Sequence, residues 1–211
     1  MNIEINDRLI SFLMFLPVFL ISLAIHEFSH AYAAFHYGDT TAKNAGRLTL
    51  NPFKHLDLIG SVLMPLISFA SGAFLIGWAK PVPINPNNFE NKRMNDAVVS
   101  FAGPFSNLFI AFILSISASI IDEHFSTMQY AGRILQLLNM GTYFNVFLFV
   151  FNLLPIPPLD GSHILYDIFP NRLMARYLSF SAYGFIILIL FIYSPLWSYV
   201  VKIVNFIYNV I

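Results

Sequence analysis

Long apolar runs separated by short polar stretches set the plan of this chain. The first runs from about Arg8 to Tyr37 and stops at Gly38-Asp39, a helix-stop signal. A second, Leu58 to Ala79, contains Pro65 and is loosened by Ser68, Ser71, Gly72 and Gly77. It leads into Lys80-Pro81-Val82-Pro83-Ile84-Asn85-Pro86, which is excluded from a helix interior because three prolines remove donors and fix φ. Later runs cover Ala97 to Ile121, Ile134 to Leu154, Tyr177 to Tyr193 and Pro195 to Ile211. Between Leu154 and Tyr177, the stretch Pro155 to Arg176 reads as a Pro-rich turn and a short amphipathic helix. Residues Thr40 to Lys54 are short and mixed, and read as a small hairpin or extended segment at a membrane surface.

Composition makes these runs membrane spans rather than core helices. Of 211 residues, 57% are hydrophobic and 10% charged, against about 25% charged in a soluble domain. The length allows five or six spans of ~20 residues. The expected fold is an all-α polytopic membrane protein of five to six transmembrane helices. It carries a re-entrant or broken segment near 58–86 and a small extended segment near 40–52. Residues 1–211 read as one membrane-embedded domain, with a core over about 8–165 and C-terminal helices over about 177–211. The first run lacks a basic leader and an A-x-A-like cleavage site, so it is expected to be retained. Zero formal net charge gives no reason to expect nucleic acid. Cysteine is absent, so a metal would have to be held by His, Asp or Glu.

The basic residues then orient the chain. Lys43, Arg47, Lys54, Lys80, Lys92, Arg93, Arg172 and Arg176 fall in three loops, and only Arg8 and Arg133 lie in the alternate ones. The positive-inside rule puts those three loops in the cytoplasm, with the N-terminus and the Asp122-Glu123 loop outside. Both loops flanking Leu58 to Ala79 are basic, so this run is expected to enter and leave on one face, as Pro and Gly allow for backbone buried against protein. An ordinary span with one loop breaking the rule is the alternative.

Inside the first run stands His26-Glu27-Phe28-Ser29-His30, three ionisable residues at a depth where such groups are rare. Residues four apart share a helix face, so His26 and His30 can offer imidazoles to one ion. Glu27 lies about 100° round the helix from His26, beside the ion, where it suits a general base acting on metal-activated water. Catalytic zinc takes three protein ligands, so a third must come from elsewhere. His36 is too far along the helix, and His55, His124 and His163 lie in or near loops. Asp160 follows the Pro-broken end Asn152 to Leu159 and is the candidate. On local sequence alone the favoured role is a cap for the helix that starts at Gly161-Ser162, and topology tips that balance. A re-entrant second segment brings Asp160 to the depth of His26 and His30, whereas four full crossings would separate them.

His26-Glu27-x-x-His30 and Asn152-x-x-Pro155-x-Pro157-x-Leu159-Asp160-Gly161 together resemble the site-2 protease family of intramembrane zinc metalloproteases. Phe101-Ala102-Gly103-Pro104-Phe105-Ser106-Asn107 matches a further element of that family. Leu50-Asn51-Pro52 and Gly77-Trp78-Ala79-Lys80-Pro81-Val82-Pro83 are similar to its compact bacterial members, without PDZ or CBS modules. The resemblance implies one zinc held by His26, His30 and Asp160, with Glu27 as catalytic base. It makes Asn152 a candidate to steady the oxyanion and Asn107 a candidate to position substrate or support the site. Interhelical hydrogen bonding is the alternative for both asparagines. Gly103 and Pro104 are expected to shape a helix start.

The implied activity is hydrolysis of peptide bonds in or near transmembrane helices of membrane-protein substrates. The implied location is a bacterial inner membrane, with the site opening to the cytoplasm. A zinc-binding or zinc-transport protein without proteolysis is the competing class, and a catalytically idle scaffold for transmembrane helices is a third.

Overall fold

The structure is a computed structural model that describes residues 2–71 and 77–211. Its helices are α1 (Asn2–His36), α2 (Thr41–Asn44), α3 (Met64–Ser71), α4 (Lys92–Phe125), α5 (Ala131–Asn152), α6 (Asp160–Ile168), α7 (Arg172–Ser179), α8 (Gly184–Ile192) and α9 (Trp197–Val210). No strand occurs among the described residues.

α1 ends because Gly38 takes a left-handed φ of 97°. That turn lets Gly38 N donate to Phe35 O and Asp39 N to Ala34 O, satisfying carbonyls left open at a helix end. α4 begins at Lys92, capped by Asn91, whose Oδ1 accepts from Met94 N at 3.3 Å.

Contacts between helices fix their directions. Along α4, Val99 meets His30 and Asn107 meets His26, so α4 runs antiparallel to α1. Along α5, Asn145 meets Ser22, while a Cβ at Gly141 would come within 3.5 Å of Val18, so α5 runs parallel to α1. The chain therefore leaves α1 and enters α4 at the same end of the bundle. α9 packs back on the bundle: Val200 and Val204 join Ala111 of α4 and Val146 and Val150 of α5 in one buried cluster.

Among the described residues, four helical stretches are long and apolar enough to cross a bilayer: Leu9–His36, Lys92–Phe125, Ala131–Asn152 and Arg172–Ile192. The expected count of five to six is thus supported only to four. α9, at 14 residues, reaches about 21 Å at 1.5 Å per residue, short of the ~30 Å hydrocarbon core.

The run expected to be re-entrant opens with a π-helical turn, Leu58–Leu63, continued by α3. Residues 72–76 of that expectation, Gly72 among them, lie outside the described residues. The chain next described passes beside its own start: Trp78 N donates to Gly60 O at 3.1 Å, and Ser61 Oγ to Trp78 O at 2.7 Å.

Two local expectations are corrected. The segment near 40–52 is not an extended hairpin: Asp39 Oδ1 accepts from Thr41 N at 3.1 Å, which starts the helical turn α2 instead. Gly103 and Pro104 do not open a helix. They sit well inside α4, because capping by Asn91 starts the helix at Lys92.

Candidate metal centre

His26 and His30 project from the same face of α1, with their Nε2 atoms 3.0 Å apart. Asp160, the first residue of α6, places Oδ2 3.3 Å from His26 Nε2 and 3.4 Å from His30 Nε2. α6 begins without any side-chain cap, so Asp160 is not spent as one. Its arrival depends on the turn after α5: a Cβ on Gly161 would lie 2.3 Å from Leu153 O and 2.5 Å from Leu154 O. Only glycine lets the chain fold back this closely.

Hydrogen bonds on the far side of each ring decide what faces inward. His30 Nδ1 lies 2.7 Å from Val99 O, an acceptor only, so Nδ1 carries the proton. His26 Nδ1 lies 2.6 Å from Asn107 Oδ1. The orientation of that amide follows from a chain of partners. Gly141 O can only accept, so it takes Asn145 Nδ2 at 2.9 Å, and Asn145 Oδ1 then takes Asn107 Nδ2 at 2.9 Å. Asn107 Oδ1 is left for His26, which must donate from Nδ1. Both neutral rings therefore turn lone pairs toward each other and toward a carboxylate oxygen.

Such convergence is repulsive without a cation. It suits zinc: bonds of 2.0–2.2 Å in a tetrahedron put ligand atoms about 3.3 Å apart, against the observed 3.0 to 3.4 Å. Asp160 Oδ2 is sealed from solvent with no hydrogen-bond partner, as a metal ligand atom requires.

A scan of protein families matches residues 118–193 to "Peptidase family M50". The chain is 40% identical over 183 residues to "Putative zinc metalloprotease YwhC" of Bacillus subtilis, covering 86% of this chain and 80% of that protein. It is 29% identical over 185 residues to "Putative zinc metalloprotease Rip2" of Mycolicibacterium smegmatis, covering 87% of this chain and 68% of that one. The chain belongs to peptidase family M50, the site-2 protease family. No solved structure gives a significant match.

Membership of M50 makes the chain a zinc metalloprotease, and its four apolar helices make it an integral membrane protein. Among the described residues, His26, His30 and Asp160 form the one cluster of His, Asp and Glu able to hold an ion. Glu27 is buried beside it, and its Oε2 accepts from Val82 N at 2.8 Å. Asn152 stands at the end of α5, where Nδ2 donates to Leu148 O at 2.9 Å within its own helix. His36 meets Tyr37 edge-on, His55 Nε2 lies 2.8 Å from Thr49 O, His124 neighbours Glu123, and His163 is exposed, so none joins the cluster.

Sequence reasoning missed Ser22 and Asn145, whose side chains meet at 2.9 Å. The only signal was polarity within apolar helices. Gly103 was also misread: a Cβ there would lie 2.2 Å from His30 Nε2 and 2.8 Å from His26 Cε1. α4 therefore lies directly against both imidazoles.

Proposed function

We propose that this zinc metalloprotease hydrolyses peptide bonds in or near transmembrane helices of membrane-protein substrates. The observation that carries the reading is a convergent imidazole, imidazole and carboxylate set beside Glu27, built at the ends of apolar helices. His26, His30 and Asp160 hold the zinc. When bound, zinc supplies Lewis-acid polarisation of the scissile carbonyl and makes water acidic enough to ionise near neutral pH.

The chain's own groups do the remaining work. Glu27 accepts the proton of the attacking water as the new C–O bond forms, and passes it to the departing amine nitrogen as the C–N bond breaks. Asn107 and Val99 hold the two rings with Nε2 inward. Asn152 spends one amide hydrogen on Leu148 O, and the other remains to donate to the oxyanion.

Substrate helices hide their peptide bonds in their own hydrogen bonds, so one must unwind locally before cleavage. The non-helical stretch Lys80 to Pro86, which lies against Glu27 through Val82, is where such an unwound strand docks. Leu58 to Ala79 enters and leaves on one face, a reading supported by the Gly60–Trp78 pairing and by the shared end of α1 and α4. The basic loops put that face in the cytoplasm, and the bacterial relatives support the inner membrane. Residues 1–211 act as one membrane-embedded unit, with the chemistry in about 8–165 and the helices of 177–211 braced on α4 and α5.

Comparison of membrane-protein fragments between cells carrying wild type and Glu27→Gln tests the reading and names substrates. Loss of a general base costs about 10²–10⁴-fold, so wild-type fragments should vanish in the variant while zinc stays at one per chain. Fragments persisting at wild-type level would refute the role of Glu27. Zinc flux with no wild-type cleavage would favour transport.

A further inference from the structure

We propose that Arg47 is a positioning residue for the Glu27 carboxylate, acting through the backbone of Lys80 to Val82. The inference rests on Glu27 being the base.

By sequence Arg47 is one of several loop cations, yet in the structure it is only 8% exposed. No carboxylate pairs with it among the described residues. Its Nη2 instead donates to Lys80 O at 2.6 Å and, more loosely, to Pro81 O at 3.5 Å. Taking a guanidinium out of water is costly without a strong partner, and two backbone carbonyls are what it meets. Gly46, at φ 67°, turns the chain so that Arg47 N donates to Ala42 O and the side chain points at this stretch.

The peptide bond explains why these contacts reach Glu27. Pro81 O and Val82 N belong to one rigid plane, with the carbonyl and the N–H on opposite edges. Arg47 approaches the carbonyl edge, and Glu27 Oε2 accepts from the N–H edge at 2.8 Å. Lys80 is held on both sides, its O by Arg47 and its N by His55 O at 2.9 Å. Pro81 and Pro83 have no N–H, so Val82 supplies the one donor between them. Arg47 thereby sets the tilt of the single peptide group that orients the base, and a guanidinium at the carbonyl also strengthens the N–H beyond it as a donor.

A purely structural Arg47 would tie two loops together and leave kcat at saturating substrate unchanged in the folded fraction. Steady-state kinetics on purified protein, with zinc content measured in parallel, separates the two roles. Misplacing a reacting group by about 1 Å costs on the order of 100-fold, so Arg47→Met should lower kcat about 10- to 100-fold. KM should stay within about threefold, with one zinc retained per chain. Arg47→Lys, which keeps a donor for Lys80 O, should regain part of kcat. Val82→Pro deletes the N–H itself and should cost a similar factor. The double variant should be no slower than its slower parent, because both changes remove one interaction.

Arg47→Met with kcat within about twofold of wild type, while Val82→Pro and Glu27→Gln lose activity, would overturn the inference. Losses that multiply in the double variant would overturn it too. If Arg47→Met does not accumulate, Arg47→Lys decides alone: a lowered kcat at unchanged KM supports the role, and wild-type kcat refutes it. Cleavage retained by Glu27→Gln would bring down the reading of the base instead, whatever Arg47 does.

Discussion

The candidate metal centre lies between two regions built on opposite principles. On one side α1, α4 and α5 have satisfied their backbones internally, so their buried polar side chains are free to bond one another. Ser22, Asn107 and Asn145 form such a set, ending on His26. On the other side, residues 39–88 include long stretches without helical bonds, and here polar side chains serve the backbone. Arg47 holds carbonyls of Lys80 and Pro81, and Asp39 accepts from Asn85 N at 2.8 Å and Asn88 Nδ2 at 2.7 Å. Buried backbone must be paired with something, and where it is not helical the bill falls on buried charged residues. The helical side fixes the proposed metal ligands, and the irregular side holds Glu27, the proposed base.

Three substitutions probe this division. The largest effect is expected on the helical side from Gly103→Ala. Its Cβ would fall 2.2 Å from His30 Nε2, so the ring must leave its place, and zinc affinity should drop by more than about 100-fold. Chelator competition on the purified protein measures it, and affinity near wild type would show that α4 can retreat.

Asn145→Leu should come next. It removes Asn145 Oδ1, the nearer of the two acceptors that hold Asn107 Nδ2 away from His26 (Ser22 O, at 3.4 Å, is the other), so the amide flips more readily to present a donor to His26, and about 10- to 100-fold of zinc affinity should go. Nitrogen shifts of His26 in labelled protein would report the tautomer directly. An unchanged tautomer would break the proposed relay.

On the irregular side Asp39→Ala should leave zinc affinity alone and cost stability. Its loss strands buried donors at about 1–3 kcal/mol each, so about 2–4 kcal/mol is expected in chemical unfolding. Burial pushes the Asp39 carboxyl up, yet hydrogen bonds from Thr41, Asn85 and Asn88 hold it below its ordinary value. The folded state thus binds fewer protons than the unfolded one. Its stabilisation is present above an ordinary carboxylate pKa of about 3.9 and is lost as pH falls through the depressed value. Asp39→Ala should flatten that acid limb. Weakened zinc binding in Asp39→Ala would blur the boundary between the two regions.

Much of this arrangement was legible in the sequence. His26, Glu27 and His30 declare themselves by spacing in an apolar run, and Asp160 by following a Pro-broken helix end. Asn145 was not legible, because a partner 123 residues away at Ser22 depends on how three helices rotate about their axes. Arg47 was misleading for a different reason: charge counting treats every loop cation as solvated, and this one is buried. The segment near 40–52 failed because one Asp39–Thr41 turn outweighs a weak extended pattern.

Gly103 and Pro104 carry a last consequence for α4. Relative to alanine, an interior glycine costs a helix about 1 kcal/mol and an interior proline about 3. Pro104 also offers no N–H to the Ser100 carbonyl one turn earlier. The 34-residue helix is therefore intrinsically weakest at the level where it meets the two imidazoles. Bending there alters the room left for the rings while the rest of the rod stays straight.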